Sequence, residues 1–290
     1  MIVTIASGKG GTGKTMLATG LARVLAETDG QQVHLVDCDV EAPNAHLFVQ
    51  PALEPPQEVA SLVPRVDAAR CTLCGRCAQV CAFHALAVLS DRVLVFDDLC
   101  HGCGSCARQC PQGAIREEPV RLGEIAHGWA GRIRFSQGVL DVGRAMATPI
   151  IRTLKLQTTP ADANATLVVR DAPPGNACPT VETLRGSDVA LLVTEPTPFG
   201  LHDLELAVAI ARDELSLPVG VVINRDGTGD AGVDAFCARS GVPVLMRIPL
   251  DRRIAEAYAD GALWVDALPE YRGPLLALYG AVRDLVGASP

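Results

Sequence analysis

Lysine is nearly missing from this chain of 290 residues, which has 25 basic side chains but only three lysines, Lys9, Lys14 and Lys155. Aromatic residues are also scarce, at 4%. Because the formal net charge is -8 and no cluster of Lys and Arg could neutralise a polyanion, we expect no nucleic-acid partner. Two of the lysines lie in one short glycine-rich loop, so this loop is the first place to look for function.

Long apolar runs are absent as well. No stretch approaches the roughly 18 consecutive apolar residues that a membrane-spanning helix needs. The apolar start, MIVTIA, is too short for the core of a secretory signal and has no basic leader. We therefore expect a cytoplasmic protein with no membrane partner. The apolar fraction of 49% is sufficient for a sizeable core.

Strand and helix patterns alternate along most of the chain. An apolar run at 2–6, a glycine-rich loop, a helical pattern at 16–27 and a strand pattern at 32–36 predict a β-α-β unit, and so an α/β fold with a mostly parallel sheet flanked by helices. Further strands are predicted at 132–136, 166–169, 189–194, 219–224 and 244–248. Further helices are predicted at 141–156 with an interruption at Pro149, and at 201–214, 231–239 and 271–286.

A cysteine-rich segment interrupts this alternation. Residues 51–64 are rich in Pro and Glu and predict a linker, and eight of the 11 cysteines follow it. We predict that 1–59 and 120–290 are two parts of one α/β domain, and that 60–119 is a small α+β domain inserted between them. Since disulfides are rare in the cytoplasm, so many cysteines indicate metal or redox chemistry.

The glycine-rich loop fits the phosphate-loop pattern G-x-x-x-x-G-K-[ST] and lies between a strand and a helix, which predicts a P-loop NTPase fold. Backbone N–H groups of such a loop bind phosphate at a helix N-terminus. We expect the Lys14 ammonium to reach the β- and γ-phosphates and the Thr15 hydroxyl to bind Mg²⁺. The predicted ATP-binding loop comprises Gly8, Lys9, Gly10, Gly11, Thr12, Gly13, Lys14 and Thr15.

Acidic residues follow two of the predicted strands. Asp171 ends the run LVVRD, where a Walker-B aspartate would hold the Mg²⁺ shell. Asp37 and Asp39 end the second strand, and either carboxylate could orient the attacking water. Acids at strand ends also serve as helix caps or ion-pair partners, so their role depends on the neighbouring loop.

Eight cysteines form two copies of C-x₂-C-x₂-C-x₃-C, each copy displaced by 29 residues from the other (71 to 100, 74 to 103, 77 to 106, 81 to 110). This spacing is that of bacterial two-cluster ferredoxins, in which the fourth cysteine of each run ligates the other cluster. Structural zinc is disfavoured, because zinc sites use two well-separated pairs. One [4Fe–4S] cluster is assigned to Cys71, Cys74, Cys77 and Cys110, and the second to Cys81, Cys100, Cys103 and Cys106.

The remaining cysteines and the third lysine are less informative. Cys38 and Cys237 are expected to be small buried apolar residues. Cys178 lies just after the Asp171 loop, and neither its role nor that of Lys155 follows from the pattern. The first cysteine run ends with Ala82 where the second has proline, which leaves the turn and potential of the adjacent cluster open.

Together these motifs resemble the MinD/ParA and nitrogenase-iron-protein class of P-loop ATPases, with an inserted ferredoxin domain. The resemblance rests on GKGGTGKT with its early lysine, VDCDVEAPN, the two cysteine runs, DAPPG, TEPTPFGLHDL and VVINR. It implies that Lys9 crosses a dimer interface to the phosphates of the partner subunit, so that Lys9, Lys14 and Asp39 act in catalysis. It also implies that Asp39 orients water, that Mg²⁺ is bound near Thr15, Asp39 and Asp171, and that the adenine lies near Asn224, Arg225 and Pro249.

Three functions remain open at this point. The first is a homodimer, or a heterodimer with a related ATPase, that hydrolyses ATP and passes electrons through two [4Fe–4S] clusters to a redox partner. The second is an ATP-dependent carrier of an iron–sulfur cluster or metal cofactor for a client metalloprotein. The third is a positioning ATPase, which the acidic charge and the few basic residues of the C-terminal segment disfavour. The potentials of [4Fe–4S] clusters span roughly -700 to +450 mV, so the direction of electron flow stays undetermined.

Overall fold

A mixed sheet of ten strands forms the centre of the molecule in the computed structural model, which describes residues 1–28, 32–160 and 166–288. The strand order is β12-β11-β10-β1-β9-β2-β8-β7-β3, with β4 also paired to β7. All pairs from β12 to β8 are parallel, whereas β3, β4 and β8 run antiparallel to β7. The strands are β1 (Ile2–Ala6), β2 (Gln32–Asp37), β3 (Ala52–Leu53), β4 (Gln57–Val66), β5 (Leu86–Val88), β6 (Val93–Val95), β7 (Ile115–Ala130), β8 (Ile133–Leu140), β9 (Thr166–Asp171), β10 (Val189–Thr194), β11 (Val219–Asp226) and β12 (Val244–Pro249).

Helices cover both faces of the sheet, as expected for parallel strands that are apolar on both sides. One core cluster packs α1 and the C-terminal helices on one face, and two further clusters fill the other face. Of the helices in the described part of the chain, none is both long and apolar enough to cross a membrane. The helices are α1 (Lys14–Ala26), α2 (Ala45–Val49), α3 (Arg76–Gln79), α4 (Ser105–Arg108), α5 (Thr148–Thr158), α6 (Cys178–Leu184), α7 (Pro198–Val208), α8 (Gly232–Ser240), α9 (Arg252–Ala259), α10 (Trp264–Ala267) and α11 (Arg272–Gly287).

The predicted linker at 51–64 is wrong, because this segment forms β3 and most of β4. Burial alternates along EVASLV, where Val59, Ser61 and Val63 are buried and Ala60 and Leu62 are exposed. Pro64 is tolerated because β4 pairs only with β7 and is therefore an edge strand, where a missing N–H costs no ladder bond. The predicted boundaries after 59 and after 119 both fall inside this strand pair.

The helix predicted at 141–156 is also partly wrong, since α5 begins only at Thr148. Pro149 starts the helix instead of interrupting it, because proline has no N–H to lose in a first turn. The helix predicted at 201–214 begins at Pro198 and changes to a π-helical turn at Ala209–Glu214. The other predicted strands and helices form within a few residues of their predicted ends.

A small lobe extends from the paired ends of β4 and β7. It contains the short helices α3 and α4, the hairpin of β5 and β6, and its own apolar cluster with Cys77, Cys100 and Cys106. The two helices repeat at the same spacing as the cysteines, and each follows a glycine with positive φ, Gly75 at 79° and Gly104 at 72°. The lobe is therefore internally duplicated in structure as well as in sequence.

Candidate functional site

The glycine-rich loop joins β1 to α1, and neighbouring side chains fix its path. At Gly13, with φ 99°, a Cβ would lie 2.4 Å from Nδ2 of Asn224. At Gly8 a Cβ would lie 2.4 Å from Cβ of Asp203. A larger residue at Gly8 would displace the backbone of α7, and one at Gly13 would adopt a strained φ and displace the Asn224 amide, so both positions favour glycine.

A cavity of about 380 Å³ opens beside this loop. Of the residues predicted to bind ATP, Gly8, Lys9 and Thr12 do not line the cavity. The predicted residues that do are Gly10, Gly11, Gly13, Lys14, Thr15, Asp39, Asn224, Arg225 and Pro249. The sequence analysis missed the remaining wall, made by Met16, Asn44, Pro174, Leu250, Asp251, Ile254, Ala255 and Tyr258. The part of this wall that follows β12 runs from Leu250 to Tyr258. In the sequence only Pro249 indicated it, because helix α9 was not predicted.

Lys14 is the buried cation of the site. Its side chain is nearly inaccessible, and burial lowers the pKa of its ammonium while the charges of Asp171 and Asp39 oppose that shift. A buried ammonium stabilises neighbouring negative charge more strongly than an exposed one, because less water screens it. Lys14 is thus placed to bind phosphate at the start of α1.

Asp171 is the unsatisfied anion of the site. It lies directly opposite Asp37 in the parallel pairing of β2 and β9. Burial, Asp37 and Asp39 raise the pKa of Asp171 well above its usual range, while Thr15 and Lys14 lower it. Among the described residues neither carboxylate oxygen has a hydrogen-bond partner of good geometry, although Thr15 is close enough to affect the pKa. Such a buried oxygen pair beside a threonine hydroxyl suits a hard divalent cation such as Mg²⁺.

Asp37 and Asp39 have different surroundings, although the sequence left both as candidates to orient the attacking water. Asp37 is fully buried and accepts N–H bonds from Asp39 at 3.1 Å and from Asn44 and Ala45 at 3.0 Å. Burial nevertheless raises the pKa of Asp37 to about 7. Asp39 instead lines the cavity, where burial also raises its pKa. Asp37 therefore braces the loop, and Asp39 is the carboxylate available to water or metal.

Asn224 braces the phosphate loop from the other side. Its Nδ2 donates to the carbonyl oxygen of Thr12 at 2.7 Å, and its Oδ1 accepts from the N–H of Arg225 at 2.9 Å. Pro249 and Tyr258 line the same cavity, so an apolar wall lies next to this amide. A base placed here would have both a polar edge and an apolar surface to contact.

Lys9 does not line the cavity that Lys14 lines, and its side chain is held by a residue that the sequence did not indicate. Its ammonium contacts Glu195 Oε2 at 2.8 Å, and Arg225 contacts the other oxygen of the same carboxylate at 2.6 Å. The side chain of Glu195 is only 8% exposed. Its position after β10, in TEPTP, was the one signal that could have identified it.

The eight predicted cluster cysteines surround two small cavities in the lobe, four at each. In both, three cysteines come from one run and the fourth from the other run. The first cavity is lined by Cys71, Cys74, Cys77 and Cys110, and the second by Cys81, Cys100, Cys103 and Cys106. The second cavity lies nearer the large sheet, because it is lined by Pro64 of β4, whereas the first is lined by Val66 at the strand end.

Backbone hydrogen bonds, side-chain hydrogen bonds and burial act differently on these thiols. The N–H groups of Ala85 and Ala114 donate to Cys81 and Cys110 at 3.3 Å, in equivalent positions of the duplicated lobe. Burial raises the pKa of Cys106 to about 11, and hydrogen bonds from Ser105 lower that of Cys103. Within the described ranges, no three His, Cys, Asp or Glu side chains are placed to hold one metal ion.

Neither Cys178 nor Lys155 lines the nucleotide cavity or the two cysteine cavities. Cys178 is exposed at the start of α6, and Lys155 forms an ion pair with Glu182 at 3.3 Å. Cys38 and Cys237 are buried, as predicted. Burial raises the pKa of Cys38 to about 12, so this thiol stays protonated and unreactive.

Comparison with known proteins places the chain among nucleotide-binding proteins. The family model of the CobQ/CobB/MinD/ParA nucleotide binding domain matches residues 3–264. The uncharacterized protein MJ0579 of Methanocaldococcus jannaschii is 31% identical over 268 residues, or 90% of each chain. MJ0578 of the same organism is 27% identical and covers 99% of this chain and 98% of its own.

Solved structures show the same fold. The septum site-determining protein MinD of Pyrococcus horikoshii, complexed with Mg-ADP, has a TM-score of 0.57 at 19% identity, covering 100% of this chain and 98% of its own. The cell division ATPase MinD of Pyrococcus furiosus has a TM-score of 0.57 at 22% identity, covering 98% of both chains.

Proposed function

Because the chain belongs to the CobQ/CobB/MinD/ParA nucleotide-binding family and is a P-loop ATPase of the MinD/ParA type, we propose that it is a dimeric iron–sulfur ATPase. In this proposal ATP binding and hydrolysis control electron transfer through two [4Fe–4S] clusters to a partner protein. The observation that carries the proposal is the arrangement of eight cysteines around two cavities, four at each. Each run supplies three cysteines to one cavity and its fourth cysteine to the other.

The ATP site is the cavity beside the glycine-rich loop. Lys14 and the loop N–H groups would bind the phosphates, and Thr15, Asp39 and Asp171 would hold Mg²⁺, which neutralises phosphate charge when bound. The unpartnered oxygens of Asp171 support this assignment, because a buried carboxylate without a partner is costly unless a cation compensates it. Asp39 would orient the attacking water. Asn224, Arg225 and Pro249 would contact the base.

The cysteine spacing favours an iron–sulfur cluster over zinc. Zinc sites usually take two well-separated cysteine pairs, whereas each cavity is lined by three closely spaced cysteines of one run and a fourth cysteine of the other run. In a two-cluster ferredoxin each run supplies three ligands to one cluster and its fourth cysteine to the other. The lobe would thus be an inserted two-cluster ferredoxin domain, with Cys71, Cys74, Cys77 and Cys110 at the outer cluster.

A chain of contacts connects the nucleotide site to the second cysteine cavity, the inner cavity, which lies nearer the large sheet. Val40, next to Asp39, accepts the N–H of Leu140 at 2.7 Å. The segment after Leu140 contains Arg144, whose guanidinium lies 3.8 Å from Asp98 of the lobe. Asp98, Arg144 and Cys100 line one small cavity. A displacement of the loop at Asp39 would therefore reach the cysteines of the inner cavity through few contacts.

The first experiment measures the iron and sulfide content of the protein and its mass in solution. Anaerobically purified protein should contain about eight iron and eight sulfide per chain. Light scattering should show a doubled mass with Mg-ATP in the Asp39→Ala variant, in which hydrolysis no longer reopens the dimer. Zinc without sulfide would reject the clusters, and an unchanged mass would reject the homodimer. A second related chain, of which M. jannaschii has two examples, would then be tested as the partner.

A cofactor carrier is the second candidate, and exposed thiols favour it. Cys178 is exposed beside the Asp171 loop, and Cys74 and Cys103 are exposed in the lobe. In that case an apo client metalloenzyme should gain activity from the iron-loaded protein with ATP, and Cys178→Ala should abolish the gain. If Cys178→Ala and wild type activate the client equally, or neither does, the carrier role at Cys178 is rejected.

A further inference from the structure

Glu195 and Lys9 form an ion pair within one subunit, although Lys9 is the residue that a partner subunit would need. Lys9 Nζ lies 2.8 Å from Glu195 Oε2, and its side chain is 31% exposed. The pair is therefore at the surface of the free subunit, next to the exposed loop residues Gly10 and Gly11. As long as this pair persists, the Lys9 ammonium is directed to its own chain.

The backbone of Glu195 is held in place, and its carboxylate is nearly buried. The carbonyl oxygen of Glu195 accepts the N–H of Thr197 at 2.8 Å. A Cβ at Gly200 would lie 2.2 Å from that oxygen, so α7 packs directly on the residue. Thr197 in turn caps α7 by accepting the N–H of Gly200 at 3.0 Å. Glu195 is thus a rigid acceptor, and Lys9 is the flexible member of the pair.

Arg225 makes the pair breakable. It contacts Oε1 of Glu195 at 2.6 Å, and it also donates to the carbonyl oxygen of Gly11 at 3.4 Å. The Glu195 carboxylate is only 8% exposed, so leaving it without a counterion would be costly if Lys9 were its one partner. With Arg225 in place, Glu195 keeps a counterion when Lys9 leaves. The arrangement therefore lets Lys9 exchange partners without leaving a buried charge unpaired.

We propose that Glu195 is a positioning residue that holds Lys9 in its own subunit until a partner's nucleotide phosphates replace the carboxylate. This inference rests on the proposed dimer. Two such ion pairs must break for each symmetric dimer, so Glu195 raises the protein concentration at which Mg-ATP produces dimers. It also keeps Lys9 from the subunit's own phosphates.

The scarcity of lysine allows a direct test on the free subunit. Acylation of amines with an N-hydroxysuccinimide ester, followed by peptide mass spectrometry, reports on three lysine side chains, which are resolved from any N-terminal amine. In Glu195→Gln, which keeps the shape and removes the charge, Lys9 should react several times faster than in wild type. Glu182→Gln is the matched control, because it breaks the ion pair of Lys155 and should accelerate acylation of Lys155 alone.

Dimerisation gives the second readout. In the Asp39→Ala background with Mg-ATP, Glu195→Gln should dimerise at about a tenfold lower protein concentration, since two ion pairs with partly exposed lysines no longer oppose it. If Glu195→Gln does not fold, wild type at rising NaCl replaces it, and acylation of Lys9 should accelerate as salt screens the pair. Equal Lys9 acylation in wild type and Glu195→Gln, or no effect of salt where that variant does not fold, would overturn the proposal. Absence of any dimer together with faster Lys9 acylation would reject the proposed dimer and leave the Lys9–Glu195 pair established.

Discussion

Leu140 donates its backbone N–H to the carbonyl oxygen of Val40 at 2.7 Å, which joins the end of β8 to the residue after Asp39. Gly138, two residues earlier, lets β8 approach Val40 and α5 closely. A Cβ at this position would lie 2.7 Å from Val40 Cγ1 and 2.8 Å from Ile150 Cγ2. The segment after β2 that contains Asp39 and Val40 is therefore packed against the end of β8, which precedes Arg144.

Gly138→Ala should disturb this packing. We expect a loss of about 1–3 kcal/mol in the free energy of unfolding, because the added methyl group overpacks the contact with Val40. Hydrolysis should fall more than ATP affinity, since Asp39 is displaced while Lys14 is not. Urea denaturation and steady-state ATPase assays measure both effects. Gly280→Ala is the control, since Gly280 is in α11 with no atom near its added Cβ; an equal effect there would contradict the packing argument.

The two loop lysines should separate binding from dimer closure. Lys14→Ala should weaken Mg-ATP binding tenfold or more, because a buried charge-assisted contact is lost, worth about 1.5–3 kcal/mol. Lys9→Ala should bind Mg-ATP with nearly normal affinity but lose hydrolysis and ATP-driven dimerisation. Titration calorimetry and light scattering distinguish the two variants. Equal loss of binding from both would show that Lys9 acts on the nucleotide of its own subunit.

His34 predicts an acid-sensitive fold. Burial, and then the charges of Arg134, His127 and Arg170, lower the pKa of His34 to about 3, while Ser136 Oγ lies 2.8 Å from its Nε2. The unfolded chain has the ordinary pKa of about 6.5, so between about pH 3 and 6.5 it binds a proton that the folded chain does not. The contribution of neutral His34 to the free energy of unfolding is complete above about pH 6.5, and it declines as the pH falls below that value.

The test is the pH dependence of unfolding in His34→Gln. Between pH 6.5 and 5 wild type should lose about 1.6 kcal/mol that the variant retains, because the slope approaches about 1.4 kcal/mol per pH unit only below pH 6.5. Urea denaturation at several pH values measures the difference. His202→Gln at an exposed position is the control and should follow wild type. Parallel pH curves for wild type and His34→Gln would contradict the assigned pKa.

The cysteine assignments predict iron content residue by residue. Cys77→Ser removes one ligand of the outer cavity and should lower iron from about eight to about four per chain, because the inner cluster keeps its four cysteines. Cys178→Ser, which changes an exposed cysteine outside the lobe, should leave iron unchanged. Iron and sulfide assays on anaerobic protein provide the numbers. Full iron in Cys77→Ser would show that the ligand set is wrong.

Candidate residues that depend on local chain order could be identified from the sequence. The loop from Gly8 to Thr15 and the two cysteine runs are contiguous, so their spacing alone indicated them as candidates. Strand ends that neighbour each other in a parallel sheet were also predictable, which is why Asp37, Asp39 and Asp171 come together.

Contacts between distant segments were not predictable in this way. Glu195 meets Lys9 only because β10 lies beside β1 in the sheet, and Tyr258 reaches the cavity because α9 folds back after β12. The predicted linker failed for a related reason. Its prolines suggested a loop, but pairing with β7 over the full length of β4 outweighed that local preference.

The most direct test of the account is a redox titration of the reduced clusters, followed by electron paramagnetic resonance, with and without Mg-ATP. If ATP binding moves the loop at Asp39 and the contacts from Val40 to Arg144, the midpoint potential of the inner cluster should shift while Mg-ADP produces a smaller change. The Asp39→Ala variant should hold the shifted value. Identical potentials and identical reduction rates with and without Mg-ATP would contradict ATP control of electron transfer.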